Sequence, residues 1–346
     1  MKKLRIAMTM LAAGACAAWA DTEVERTCEM ALTGRVRIEN TAGSVDVQSW
    51  TEPKVQVKAR LEENVKRMDV SCSGSRTTIK VVVPSGKRRR KAAYLTVYVP
   101  EQSSLDIEAV SASITVQEVL GKLELESVSG GIDVAANAAS INARSISGRL
   151  RIASDTQSVE AESTSGTIDI SGRIPRVRAE TVSGKLKLQG DFNRVEVDSV
   201  SGAISVTGTI GTLESDTVSG SQQAGTVLDG AKMSASSGRL SLDGGRMTKV
   251  EMDTVSGGIE FRGDLADEGS LDIDTISGRI TVEMPPSIGA RFEVSTLSGS
   301  IGNDFGVAPQ RVSAYGPGLE LRFEQGNGSG DVTIESKSGG IDIKTR

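Results

Sequence analysis

One short phrase, repeated at a fixed interval, constrains this chain more than any other feature. The phrase is Ser/Thr, apolar, Ser, Gly, any residue, Ile/Leu, any residue, Val/Ile. It reads SVSGGIDV from Ser127, SISGRLRI from Ser145, STSGTIDI from Ser163, TVSGKLKL from Thr181 and SVSGAISV from Ser199. Its glycines are Gly130, Gly148, Gly166, Gly184, Gly202, Gly220 and Gly238, evenly spaced along the chain. The spacing then loosens, and the next three fall at Gly257, Gly278 and Gly299. Ala112, one period before Gly130, opens the series inside VSASITV. Fixed self-similarity at this period marks a solenoid.

Counted from each glycine, positions +2 and +4 are apolar, as in Ile168 and Ile170. Position +8 is usually apolar (Leu120, Ile174, Phe192, Ile210, Leu228), and so are +11 and +13, as in Val177 and Ala179. Pairs spaced by two are strand pairs, because alternate side chains face one way. No window carries the helical i, i+3, i+4, i+7 pattern. Strands this short are not stable alone, so identical coils must stack in parallel to bury the apolar columns and pair the backbone. The expected fold is all-β: a parallel β-helix (solenoid) with about 18 residues per coil. About eleven coils at ~4.8 Å each make a rod roughly 50 Å long. The left-handed β-helix has a six-residue apolar period that these positions do not fit, so we expect a right-handed one. The phrase glycine marks a corner that needs either positive φ or a close backbone approach.

The ends read differently. Residues 1–20 have the form of an export signal: Lys2, Lys3 and Arg5, an apolar run from Ile6 to Ala15, and Ala18-Trp19-Ala20 before Asp21. Cys16 after Ala13-Gly14-Ala15 offers a rival reading as a lipoprotein cysteine, although Ala13 stands where leucine is usual. Cys28 and Cys72 then remain as an even pair, and an oxidising compartment favours a disulfide between them over two buried thiols. Residues 21–105 look like an irregular β-rich cap, 106–301 like the regular coils, and 302–346 like degenerate coils whose last turns cap the rod. Pro84-Ser85-Gly86 separates TTIKVVV from AYLTVYV, which places Lys87, Arg88, Arg89, Arg90 and Lys91 in an expected hairpin loop.

Charge is unevenly spread. Residues 21–105 carry 15 Lys/Arg and 11 Asp/Glu, whereas 106–346 carry 22 and 34. An acidic exported rod is not a nucleic-acid binder by charge. The acid gathers at +12 (Glu124, Glu160, Glu196, Glu214) and +14 (Glu126, Glu162, Glu180, Asp198, Asp216), both outward. The +3 column alternates in sign through Asp133, Arg151, Asp169 and Lys187, a ladder that helps fix register.

Enzyme chemistry finds little to work with. The chain has no histidine, which removes the commonest general base and metal ligand. Two cysteines do not make a zinc site, and no GxxxxGK[ST] follows a strand. The enzymes that such a fold invites are polysaccharide lyases and hydrolases with paired carboxylates, but coils held to one short, constant period leave no loops to wall an active site. No cofactor is expected. The sharpest candidate contact is Lys87–Lys91, five cations suited to anionic lipid head groups or acidic glycans; the bland reading is a solvated tip whose charge deters edge pairing.

The phrase series resembles a known bacterial family, as do LTVYVP from Leu95 leading into LDIE and VSASITV, and the closing SGDVTI and SGGIDI. It is an exported β-strand-repeat family of unknown function labelled "putative adhesin". The resemblance covers nearly all of the chain after residue 20 and implies a parallel β-solenoid without known catalytic residues. The expected function is therefore a non-catalytic scaffold that binds an envelope component or a surface ligand (anionic lipid, glycan or protein), in the periplasm or on the cell surface. A periplasmic envelope-stress or regulatory accessory is the first alternative. A carbohydrate-active enzyme is the second.

Overall fold

The computed structural model describes residues 21–84, 92–313 and 316–346. The export signal, Cys16 and the Lys87–Lys91 run lie outside the described residues. Among those described, every regular element is a strand. The regular coils stack in register along two parallel ladders. In one, Ile141 lies beside Val159, then Val177 and Val195. In the other, Leu150 lies beside Ile168, then Leu186 and Ile204. These residues are almost wholly buried, and burying each aliphatic side chain contributes about 1.5–3 kcal/mol. The +3 column stands in adjacent register as expected, Asp133 beside Arg151, Asp169 and Lys187.

The +8 column holds in part. Ile174, Phe192 and Ile210 are buried, but Leu120 and Leu228 are exposed, and Val119 and Val227 go inward instead. The coil slips by one residue there, with a register shift at Val227.

Both ends depart from chain order. At the start, β1 (Thr22–Glu29), β2 (Arg35–Trp50), β3 (Lys54–Leu61), β4 (Arg67–Ser73), β5 (Arg76–Val82), β6 (Ala93–Pro100) and β7 (Ser104–Gln117) are all strands. The coil formed by β2 lies inside: β7 pairs with it on one side, β5 and β6 on the other, all parallel. Consequently β5 and β6 do not form the expected hairpin. They are successive sides of one coil, on opposite ladders. The antiparallel partners are elsewhere: β4 on β5, β3 on β6, and β1 on β3. Cys28 on β1 and Cys72 on β4 form a disulfide, with Cα atoms 5.9 Å apart. It ties the outer strand of one ladder to the outer strand of the other.

The far end corrects a second expectation. The closing coil, Gly330–Ser338 and Ile341–Thr345, does not cap the rod. It is inserted between the coil of Ile259–Ser277 and Ile280–Met284 and the coil of Ala290–Ser298 and Ile301–Asn303. The tip is covered instead by the antiparallel strand Leu319–Gln325. There Phe292 and Phe323 stack with centroids 4.4 Å apart, and Phe305 tilts against both.

Candidate functional site: a groove along one corner

The corner phrase builds a linear surface. Ser127 ends its strand with its side chain turned in, and its hydroxyl accepts the Gly130 N–H at 2.9 Å. Ser145, Ser163 and Thr181 do the same for Gly148, Gly166 and Gly184. The second serine turns out and back: the Ser129 hydroxyl donates to the Val110 carbonyl, and Ser147 to Val128, each at 3.2 Å. With both neighbours fixed, the apolar residue between them points into solvent. Val110, Val128, Ile146, Val182, Val200 and Val218, then Val255, Ile276 and Leu297, form a row between 42 and 57% exposed. An apolar row of this length on the surface is a feature of binding faces rather than of ordinary solvated ones.

Two residues back on each strand stands the +14 row, on the same outward side. It runs through Glu126, Arg144, Glu162, Glu180, Asp198 and Asp216, then Ser234, Asp253, Asp274 and Glu335. Between acid row and apolar row lies a trough floored by the inward Ser/Thr residues. It encloses about 1070 Å³ beside the coils from Glu39 to Val218 and about 760 Å³ more from Thr217 to Lys337.

The two halves of the groove differ electrostatically. In the first, cations answer the acids. Arg37 reaches Asp106 at 3.0 Å and Glu108 at 2.5 Å. Lys80 reaches Glu39 at 2.5 Å, and this bond, with Arg37 beside it, holds the Glu39 carboxyl below the usual carboxylate range. Arg144 sits between Glu126 and Glu162 at 3.7 and 3.3 Å, and Arg178 pairs with Glu180 at 2.6 Å. From Asp198 onward, among the described residues, the row has no such ion pairs. Partial burial pushes the carboxyls of Asp198, Asp253 and Asp274 up, and the negative charges of neighbouring coils add to it. Asp274, with Asp272, Glu335 and Asp253 around it, is pushed to about 6. The other column expected to be acidic, +12, is largely neutralised. Asn142 donates to Glu160, Arg178 and Arg194 hold Glu196, and Lys232 reaches Glu251 at 3.5 Å.

The corner itself changes at the same place. From Gly220 on, the glycine N–H donates to the next coil: Gly220 to the Ser237 carbonyl at 3.1 Å, and Gly257 to that of Ser277 at 3.0 Å. The hydroxyls of Ser199, Thr217, Thr254, Thr275 and Ser336 are left without a hydrogen-bond partner.

The structure thus defines its own candidate surface, with the +14 acids expected from sequence along one side of it. Lys87–Lys91 lie outside the described residues; Lys80 and Val81, on β5, line the groove's first end. The apolar row was readable and missed. Leu123, Leu125 and Ser127 alternate inward, which puts Val128 outward on the same side as Glu126. Among the described residues, no three Asp, Glu, Cys or His side chains are grouped to hold a metal ion.

A parallel β-solenoid with an open groove along one corner is the class that fold and site define. The chain belongs to the family described as Toastrack DUF4097, whose model matches it twice, over residues 33–207 and 172–344. Two solved structures are similar over most of their length. One, a "putative cell adhesion protein" from Clostridium sporogenes, is 13% identical, covers 94% of this chain and all of its own, and superposes with a TM-score of 0.21. The other, a "putative adhesin" from Bacteroides fragilis, is 11% identical, with coverages of 95 and 99% and a TM-score of 0.36. No curated protein matches the chain.

Proposed function

We propose that this protein is an exported, non-catalytic scaffold that attaches to a cell-envelope component or an external surface through its corner groove. The observation that carries the proposal is the half-exposed aliphatic row running beside the acid row. A soluble rod gains nothing from a long line of exposed valines, which only a partner can cover. The groove is open along its length and has no walls to exclude water from a reaction, which favours adhesion over turnover.

Protease treatment of intact cells, with a lysed control, tests the location. Digestion on intact cells supports attachment at the surface. Protection until lysis places the rod in the periplasm and favours the accessory-protein reading. Purified chain without residues 1–20, mixed with isolated envelopes and sedimented, tests the attachment itself; a rod that stays in the supernatant at low and high salt would contradict it.

A further inference from the structure

We propose that the second half of the groove, from Asp198 to Glu335, binds an extended polypeptide segment carrying basic and aliphatic side chains together. This assigns a ligand class to the groove and rests on the groove being the attachment surface.

Three observations coincide in these coils, whereas the first half has, among the described residues, a single unpaired floor oxygen, Asn40 Oδ1. The acids lack the cations that answer Glu39, Glu126 and Glu162. The carboxyls of Asp198, Asp253 and Asp274 are crowded, as neighbouring coils bring like charges together. The floor hydroxyls of Ser199, Thr217, Thr254, Thr275 and Ser336 have no partner, although each residue is at least nine-tenths buried. A buried polar group without a partner costs about 1–3 kcal/mol. These five point into the rod, with no exposed surface on the hydroxyl oxygen, so they set these coils apart from the first half without meeting a ligand in the groove.

The occupant must therefore offer two things along one line: cations for the acid row and aliphatic groups for Val200, Val218, Val255 and Ile276. An extended peptide does this with its side chains. A polyamine brings the charge without branched aliphatic groups. An amino-sugar polymer brings charge and hydroxyls, but sugar rings favour aromatic platforms, and among the described residues no aromatic side chain lines either stretch of the groove. A second copy of this chain fits poorly. Two such grooves laid face to face put acid on acid in one direction and acid on bare valine in the other, and both cost energy. Lys337, in the apolar row between Ile276 and Leu297, is the one cation lining this half among the described residues, and it sets the limit of the site. Six coils span roughly 24 Å at ~4.8 Å each, room for about seven extended residues at ~3.4 Å.

The test uses the chain without residues 1–20 and a fluorescent octapeptide of alternating Lys and Val, read by anisotropy. Octalysine, an alternating Glu-Val octapeptide and a glucosamine hexamer serve as competitors. Binding should weaken with salt. It should fall at least tenfold in the triple variant Asp216→Asn/Asp253→Asn/Asp274→Asn, and again in Val218→Ser/Val255→Ser/Ile276→Ser. The first-half pair Glu126→Gln/Glu162→Gln should leave it unchanged, and thermal melts confirm that each variant is folded. Octalysine competing as well as the mixed peptide would reduce the site to nonspecific charge. Competition by the glucosamine hexamer alone would transfer it to amino-sugar polymers. Absence of any binding would also overturn it. Envelope sedimentation separates the two claims: a chain that binds envelopes but not the peptide keeps the scaffold function and loses only this ligand, while one that binds neither loses both.

Discussion

A Cβ built on Gly148 would lie 1.9 Å from the carbonyl oxygen of Gly130 in the coil below. The same collision recurs up the column, from Gly166 against Gly148 to Gly299 against Gly339. Most of these glycines have no positive φ, so close backbone approach, rather than a left-handed conformation, dictates the residue. Gly148→Ala should therefore force the coils apart at a cost of about 1–3 kcal/mol. Gly131, whose added Cβ would meet nothing nearer than the Arg149 carbonyl oxygen at 3.6 Å, is the matched control. Gly131→Ala should change stability by less than about 0.5 kcal/mol. Equal melting temperatures for the two variants would contradict the stacking account.

The Cys28–Cys72 bridge joins residues 44 apart in the chain, and closing a loop of that length contributes about 4 kcal/mol in chain entropy. It joins antiparallel strands at an end where the repeat gives no help. Replacing both cysteines by serine should loosen that end first, giving an early unfolding phase in a melt while the regular coils persist. Reduction of the wild-type chain should reproduce it, and a single unchanged transition in both would count against the structural role.

The crowded carboxylates give a pH signature. Asp titrates near ~3.9 when unfolded, whereas Asp274 in the fold is pushed to about 6 by burial and by Asp272, Glu335 and Asp253. A raised carboxyl favours the native state below its unfolded value, and the benefit is lost as pH rises through about 6. Asp274→Asn should thus raise the melting temperature at pH 8 by about a degree, a small effect because the side chain meets solvent. At pH 4 it should do nothing. The same shift at both pH values would refute the assignment.

We propose the basic run, which lies outside the described residues, as a separate contact. Substituting serine for all of Lys87, Arg88, Arg89, Arg90 and Lys91 should abolish a salt-sensitive association with anionic vesicles, since cations near a membrane surface contribute about 1 kcal/mol each. Cosedimentation indistinguishable from wild type would leave the run as a solvated tip.

How much of this was legible depended on whether a feature is local. The coil period and the inward pairs were readable because every coil must repeat them: Ile168, Ile170, Val177 and Ala179 are all buried. The hairpin was not, because β5 and β6 look the same locally whether they pair with each other or with β2, and only the distant partner decides. The intercalated last coil was equally hidden. SGGIDI at Ser338 matches the other phrases, and nothing in it says that Gly339 stacks between Gly278 and Gly299. The groove was half legible: alternation through Ser127 turns Val128 outward, and Arg144 stands in the acid row itself, but Arg37 and Lys80, which answer Glu108 and Glu39, reach the row through pairings that only the fold reveals.

The claim that the groove is the attachment surface is tested most directly by envelope binding of one variant, Val182→Ser/Val200→Ser/Val218→Ser. These side chains are about half exposed and none is part of the core, so the variant should melt like the wild type. The account predicts at least a tenfold loss of sedimentation with isolated envelopes. A variant that stays folded and binds envelopes as well as the wild type would mean that the groove is not what this protein uses.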